Sequence, residues 1–318
     1  MHEHEYDNFL SLPPECSTYR AARYAILPVP YEGTVSYESG TAQGPAAIVD
    51  ASQHVEKLDE EFLAEFVAAG IATLPPVRAA VSPPRMMQRV RDRAEQVLAD
   101  GKFLLTLGGE HSLSAPLVAA ATAVHGPLSV LQIDAHGDLR QSLGGTTHSH
   151  GSVMRRILEI TPHICQVGIR SLSKEELDDC PVQVRNFFTP ARIAAEPRWI
   201  DHALKLLTPK VYVTIDIDGL DPAYAPGTGT PEPGGLDYLQ VIGLLRRVCS
   251  ERHVVAADIV EVKPLGGSPR TEFLAARLAY KVITYTQACP AAGFDKLGRV
   301  AVVGSKAQRV SRARKKQA

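Results

Sequence analysis

A chain of 318 residues with 45% hydrophobic and 22% charged side chains has the make-up of a globular protein in water, and a formal net charge of -1 gives it no overall field for nucleic acid or an anionic membrane. No apolar run approaches the roughly 18 residues needed to cross a bilayer. The first residues are polar, with His2 and His4, unlike a signal peptide, and Cys16, Cys165, Cys180, Cys249 and Cys289 are widely spaced with no Cys-x-x-Cys pair, so reduced thiols in the cytoplasm are expected.

In chain order, short apolar, β-branched runs fall at residues 24–29, 103–107, 128–133, 164–169, 211–217 and 254–262. Helical patterns fall between them at 45–58, 85–99, 114–124, 152–160, 236–250 and 271–286. Alternation of continuous apolar strands with helices predicts an α/β protein, a central, mostly parallel sheet covered on both faces. There is no internal repeat, and the proline-rich stretch 74–84 reads as a loop inside one domain spanning 1–318. A short polar N-terminal extension, 1–20, and a basic tail, 305–318, flank it. The tail carries Lys306, Arg309, Arg312, Arg314, Lys315 and Lys316 and reads as a solvated terminus rather than a polyanion site.

Four of the runs end in polar clusters. They lead into Gly108-Gly109-Glu110-His111-Ser112, Asp134-Ala135-His136-Gly137-Asp138, Asp216-Ile217-Asp218 and Val260-Glu261. Ligands bind beyond the carboxyl ends of the strands of an open parallel sheet, so these clusters are expected to meet in one crevice. Asp134, His136 and Asp138 at i, i+2 and i+4 share one face of extended backbone, as do Asp216 and Asp218. A lone Asp-x-Asp is more often a turn or a cap, and a lone histidine is more often a satisfied polar residue. Four crowded aspartates, however, repel one another unless cations offset them, and two divalent ions supply about four positive charges. Carboxylate and imidazole donors without thiolate suit manganese better than structural zinc. Gly108 and Gly109 lack the spacing of a phosphate-binding loop.

These motifs resemble those of the ureohydrolase (arginase/agmatinase) family, most like prokaryotic agmatinases. The most specific stretch runs from Asp216-Ile217-Asp218-Gly219-Leu220-Asp221-Pro222-Ala223 through Ala225-Pro226-Gly227-Thr228-Gly229-Thr230-Pro231-Glu232 to Gly234-Gly235-Leu236. His150-Gly151, Glu261-Val262 and the N-terminal segment Val29-Pro30-Tyr31-Glu32-Gly33-Thr34-Val35-Ser36-Tyr37 add to it, so that the similarity runs from about residue 29 to about residue 287. The resemblance implies a three-layer α/β/α sandwich and two Mn2+ per chain. It places one ion on His111, Asp134, Asp138 and Asp216 and the other on His136, Asp134, Asp216 and Asp218, with Asp134 and Asp216 bridging. Paired cations make water acidic enough to attack the guanidinium carbon, which resonance makes a poor electrophile. Asp138 would pass the proton to the leaving amine, His150 would shuttle protons and Glu261 would receive the guanidinium by paired N–H···O bonds. His148, two residues from His150, is the alternative shuttle, and Glu110 is expected to orient His111. The glycine- and proline-rich loop 222–235 would shape the pocket.

The expected partner is a small guanidino substrate, with no nucleic acid or membrane, and the resemblance implies a homo-oligomer, a trimer or hexamer. Agmatine, cut to urea and putrescine in polyamine biosynthesis, is the first substrate reading. Arginine is disfavoured by Arg140 and Ser173, which stand where arginases carry an asparagine and an acidic residue. Loop 140–147 has no carboxylate, and Arg140 and Lys263 add positive charge, which favours an anionic or neutral tail such as that of 4-guanidinobutyrate. A metal-binding regulatory relative without activity, which would be expected to lose ligands, and a one-metal zinc deacetylase are the rival classes.

Overall fold

The computed structural model describes residues 7–80 and 82–289. Its strands are β1 (Tyr24–Val29), β2 (Leu58–Asp59), β3 (Ala64–Glu65), β4 (Ile71–Thr73), β5 (Phe103–Gly108), β6 (Ser129–Ile133), β7 (Ile164–Val167), β8 (Lys210–Asp216) and β9 (His253–Val260). Its helices are α1 (Pro14–Ser17), α2 (Gly44–Ser52), α3 (Pro83–Ala99), α4 (Ser114–His125), α5 (Val153–Leu158), α6 (Lys174–Asp179), α7 (Pro181–Arg185), α8 (Pro190–Ala195), α9 (Trp199–Lys205), α10 (Tyr238–Glu251) and α11 (Arg270–Ala288). Seven strands form one sheet in the order β4-β1-β5-β9-β8-β6-β7, and every pairing in it is parallel.

Alternate strand residues enter two separate cores. Ile26, Leu105, Leu131, Val213 and Ala257 face one side with apolar positions of α2, α9, α10 and α11. Ala25, Leu104, Val130, Tyr212 and Ala256 face the other side with α3, α4 and α5. Both faces are dry, which is why the strands read as unbroken apolar runs rather than as alternating patterns. The result is the expected three-layer sandwich.

The four strands that end in polar motifs, β5, β9, β8 and β6, are adjacent in the middle of the sheet. Register brings Ile133 level with Ile215 and Asp216 level with Val260, so Asp134, Asp216 and Glu261 emerge together at one edge. Gly109 serves close approach there. A Cβ on it would lie 2.0 Å from the Tyr31 carbonyl oxygen, so only glycine lets the turn after β5 lie against the segment after β1.

Several boundaries differ from the sequence reading. The strand expected over 164–169 stops at Val167, because Gly168 turns with φ 96°. The helix expected over 45–58 ends at Ser52. β4 and α6 to α9 were not foreseen, being too short to show a period. The polar extension expected over 1–20 is also corrected: Phe9, Leu10 and Leu12 are buried, and the Phe9 and Leu10 amides donate to Thr73 Oγ1 and Ser52 Oγ at 2.9 Å each. Stretch 74–80 is a loop laid along β1, with Leu74 and Val77 donating to Ile26 and Pro28 carbonyls at 2.9 Å. The five cysteines are free. No helix among the described residues is long and apolar enough to cross a membrane. The basic tail lies outside the described residues.

Candidate metal centre and active site

Two groups of donor atoms converge at the strand ends: His111, Asp134 and Asp216, and Asp134, His136 and Asp218, the atoms of each lying within 4.8 Å of one another. Asp134, just past β6, belongs to both. His111 Nδ1 lies 3.0 Å from Asp134 Oδ2, 3.1 Å from Asp138 Oδ2 and 3.3 Å from Asp216 Oδ2. His136 Nδ1 lies 3.0 Å from Asp218 Oδ2 and 3.6 Å from Asp134 Oδ1. All six residues expected to hold metal are thus together. Asp216, expected to bridge, falls in the first group alone.

The carboxylates are fixed from behind. Gln132 Nε2 donates to Asp134 Oδ2 at 2.7 Å, the Ala135 amide to Asp218 Oδ1 at 3.0 Å and the Asp218 amide to Asp216 Oδ1 at 2.9 Å. His111 is fixed by a buried chain. Thr214 Oγ1 donates to Asp258 Oδ1 and Tyr212 Oη to Asp258 Oδ2, both at 2.6 Å, and Thr214 Oγ1 lies 2.9 Å from His111 Nε2. The hydroxyl hydrogen of Thr214 is committed to Asp258, so His111 Nε2 is the donor of that contact, and in the neutral ring Nδ1 carries the lone pair. That buried Nδ1 makes no hydrogen bond while facing three carboxylate oxygens. A lone pair aimed among carboxylates is a poor arrangement for protein alone and a good one for a cation, so the residues fit a pair of divalent ions.

Beside the cluster opens a cavity of about 230 Å³, lined among others by His111, Asp138, His150, Glu32, Glu38 and Glu261. Glu261 Oε1 accepts the His111 amide at 2.7 Å, so one carboxylate oxygen is anchored to the ligand turn. His150 lines the cavity and His148 does not. His150 is held by Thr34 Oγ1 at 2.8 Å from Nδ1 and Ser36 Oγ at 2.7 Å from Nε2.

The chain matches the family model described as Arginase family over residues 22–284. It is 37% identical over 277 residues to an N(1)-aminopropylagmatine ureohydrolase of Synechocystis, covering 85% of this chain and 90% of the relative. It is 34% identical over 273 residues to an agmatinase of Bacillus subtilis, covering 81% and 88%. The solved agmatine ureohydrolase of Thermoplasma volcanium superposes with a TM-score of 0.79 at 30% identity, covering 89% of this chain and 94% of that one.

The chain belongs to the arginase family.

The charges of this arginase-family centre are unbalanced without metal. Burial, then the charge of Asp134, pushes the Asp138 carboxyl up to about 7, and burial, then Asp218 and Asp134, raises Asp216 well above the carboxylate range. Burial opposes protonation of His111 and His136, but the carboxylates around them prevail, lifting His111 well above an ordinary imidazole and His136 to about 12. The carboxylates thus compete for protons that divalent ions would replace. Burial also raises Glu261 well above its usual range and lowers His150 to about 4, so His150 is neutral near pH 7.

Three expectations change. Glu110 does not orient His111; it accepts the amides of Gly33 and Thr34 and the Ser112 hydroxyl, pinning the loop that holds His150. Arg140 lines the cavity but pairs with Glu175 at 3.4 Å. Lys263 pairs with Glu38. Sequence reasoning assigned no role to Thr34, Ser36, Thr214 or Asp258. The polar side chains of Thr214 and Asp258 in otherwise apolar, doubly buried strands were the available signal; a buried polar group in such a strand needs a partner.

Proposed function

We propose that this protein hydrolyses the guanidino group of an agmatine-type amine, releasing urea and leaving the amine, and that a cationic tail extended by an aminopropyl group, as in N(1)-aminopropylagmatine, is preferred over agmatine itself. The observation that carries the reading is the cavity joining the six-residue donor cluster to Glu261 and His150. Names of the relatives at 37% and 34% identity support the reaction class. The mouth supports the cationic tail. Arg140 and Lys263 were the reason to expect an anionic tail, and each is offset by a glutamate, leaving the Glu32 carboxylate on the cavity wall, while Glu176 is buried with its oxygens taken by the Leu139 and Ser173 amides. The Glu32 carboxylate, with no cation paired to it among the described residues, favours an ammonium group and disfavours 4-guanidinobutyrate.

In this reading His111, Asp134, Asp138, His136, Asp216 and Asp218 hold two Mn2+ ions. Bound there, the ions supply Lewis acidity that makes water nucleophilic at neutral pH. The chain does the rest. Glu261, one oxygen fixed by the His111 amide, presents the other to guanidinium N–H groups, and a cation there offsets the cost of its burial. Asp138 takes a proton from the attacking water and returns it to the leaving amine. His150, neutral on the cavity wall, exchanges protons with solvent through its Ser36 contact.

Purified protein loaded with Mn2+ and offered N(1)-aminopropylagmatine, agmatine, 4-guanidinobutyrate and arginine should release urea with kcat/KM falling in that order, and Asp138→Asn should release none. No urea from any of the four, with two metals bound per chain, would refute the reading. Highest kcat/KM for 4-guanidinobutyrate would refute the tail assignment alone.

A further inference from the structure

Segment 30–40, between β1 and the turn before α2, is built around His150. Thr34 Oγ1 accepts the His150 amide at 3.3 Å and lies 2.8 Å from its Nδ1, and Ser36 Oγ lies 2.7 Å from Nε2. Both ring nitrogens are therefore taken by hydroxyls of one loop, two residues apart. The loop is tied at both ends. Glu110 Oε2 accepts the amides of Gly33 at 2.6 Å and Thr34 at 2.5 Å, and Glu32 Oε1 accepts those of Gly40 at 2.7 Å and Thr41 at 3.3 Å. Glu110 is itself 1% exposed and stands one residue before His111, so the loop's position is fixed to the metal-ligand turn.

The hydroxyl hydrogens decide the tautomer. Thr34 Oγ1 already accepts one N–H, and two acceptors compete for its own hydrogen, the Glu110 carboxylate and His150 Nδ1; Glu110 already receives the Gly33 and Thr34 amides and the Ser112 hydroxyl, which leaves that hydrogen to Nδ1 at 2.8 Å. With Nδ1 accepting, a neutral imidazole carries its proton on Nε2, and Nε2–H donates to Ser36. Ser36 is exposed and lines the cavity, so its own hydrogen remains available to water or substrate. We propose that Thr34 and Ser36 are positioning residues that hold His150 as the Nε2–H tautomer, with that N–H directed along the cavity wall, and that Glu110 anchors the loop that does this. The proposal rests on the reading of His150 as the proton carrier of the guanidino hydrolysis described above. The tautomer is a property of the protein alone, so it is tested apart from turnover.

The test uses the full chain labelled with 15N-histidine. The two-bond 1H–15N correlation pattern of His150 is assigned by its absence in His150→Asn. The expected wild-type pattern is that of the Nε2–H form. Thr34→Val, which keeps the shape and removes the hydroxyl, should give a mixture of tautomers and lower kcat about tenfold or more with KM changed less than about twofold, a share of the usual acid–base contribution. Thr34→Ser should restore both the pattern and kcat. Glu110→Gln should move the pattern in the direction of Thr34→Val. An Nδ1–H pattern in the wild type, or an unchanged pattern in Thr34→Val, overturns the positioning role. An Nε2–H pattern lost in Thr34→Val, together with full kcat in His150→Asn, upholds the positioning role and instead overturns the assignment of His150 as proton carrier.

Discussion

Asp138 and Glu261 are two of the few residues other than glycine with positive φ, at 53° and 62°. An aspartate and a glutamate in that region cost about 1 kcal/mol or more each, and such strain persists where the surroundings fix a side chain for use. In the proposed reaction the use of Glu261 is a charge-assisted contact to guanidinium, so Glu261→Gln should lower kcat/KM by roughly 10- to 100-fold, the equivalent of about 1.5–3 kcal/mol. Steady-state kinetics on the best substrate of the panel decides; a loss below threefold would remove Glu261 from substrate binding. Asp138 carries a second consequence. Its carboxyl titrates near 7 in the metal-free fold, because of burial and then Asp134, against about 3.9 in an unfolded chain. A raised pKa means the folded state holds the proton more tightly. That contribution to stability is complete below about pH 4 and is lost as pH rises through about 7. The raised values of Asp216, Glu261, His111 and His136 act in the same direction. Bound divalent ions favour the ionised carboxylates and the unprotonated imidazoles, so they reverse the trend. Calorimetry with chelator and with Mn2+ should therefore show a larger metal-induced rise in Tm at pH 8 than at pH 6, and an equal rise at both would contradict the charge argument.

At the scale of elements, the six strands wider than four residues or doubly buried were legible because both of their faces are apolar, and the site was legible because four of them end in polar motifs. β4 was not, since three residues and a following proline show no period. Nor were α6 to α9, whose five to seven residues are too few to show an amphipathic stripe; α6 starts on the Ser173–Glu176 capping box and α8 on the Thr189 cap, while α7 and α9 have no side-chain cap. Ser173 thus has a structural task besides its place on the cavity wall. Within β8 and β9, Thr214 and Asp258 could be seen as polar intrusions, but their partner could not, because their strands are joined only by the sheet order. Their chain to His111 sets the orientation of a ring that holds metal in the proposed reading. Asp258→Asn and Thr214→Val should each weaken retention of the ion on His111 by about 10- to 100-fold, which competition with a chromophoric chelator reads directly. Unchanged retention in both variants would mean that packing alone orients His111.

Across the whole molecule, what the sequence could not supply was the relation between segments far apart in the chain. Loop 30–40 reaches His150, Glu38 reaches Lys263 and Glu175 reaches Arg140, and each of these contacts changes the charge or proton logic of the cavity. Reading Arg140 and Lys263 from the chain alone gave the mouth a positive sign; the fold pairs both with glutamates and removes that sign. The Lys263–Glu38 pair matters most, because Lys263 stands two residues past Glu261 and Glu38 belongs to the loop that holds His150. Glu38→Gln removes one mouth carboxylate and frees an ammonium beside the path of the substrate tail. With the screening of bulk water, one such unit change of charge is worth about 1 kcal/mol, or roughly fivefold, per cationic group that comes within about 4 Å. The KM of N(1)-aminopropylagmatine, with two cationic centres in its tail, should therefore rise more than that of agmatine, with kcat little altered, and the gap should narrow as salt screens the mouth. A KM that falls for both substrates in Glu38→Gln would mean that the tail leaves the cavity by another route.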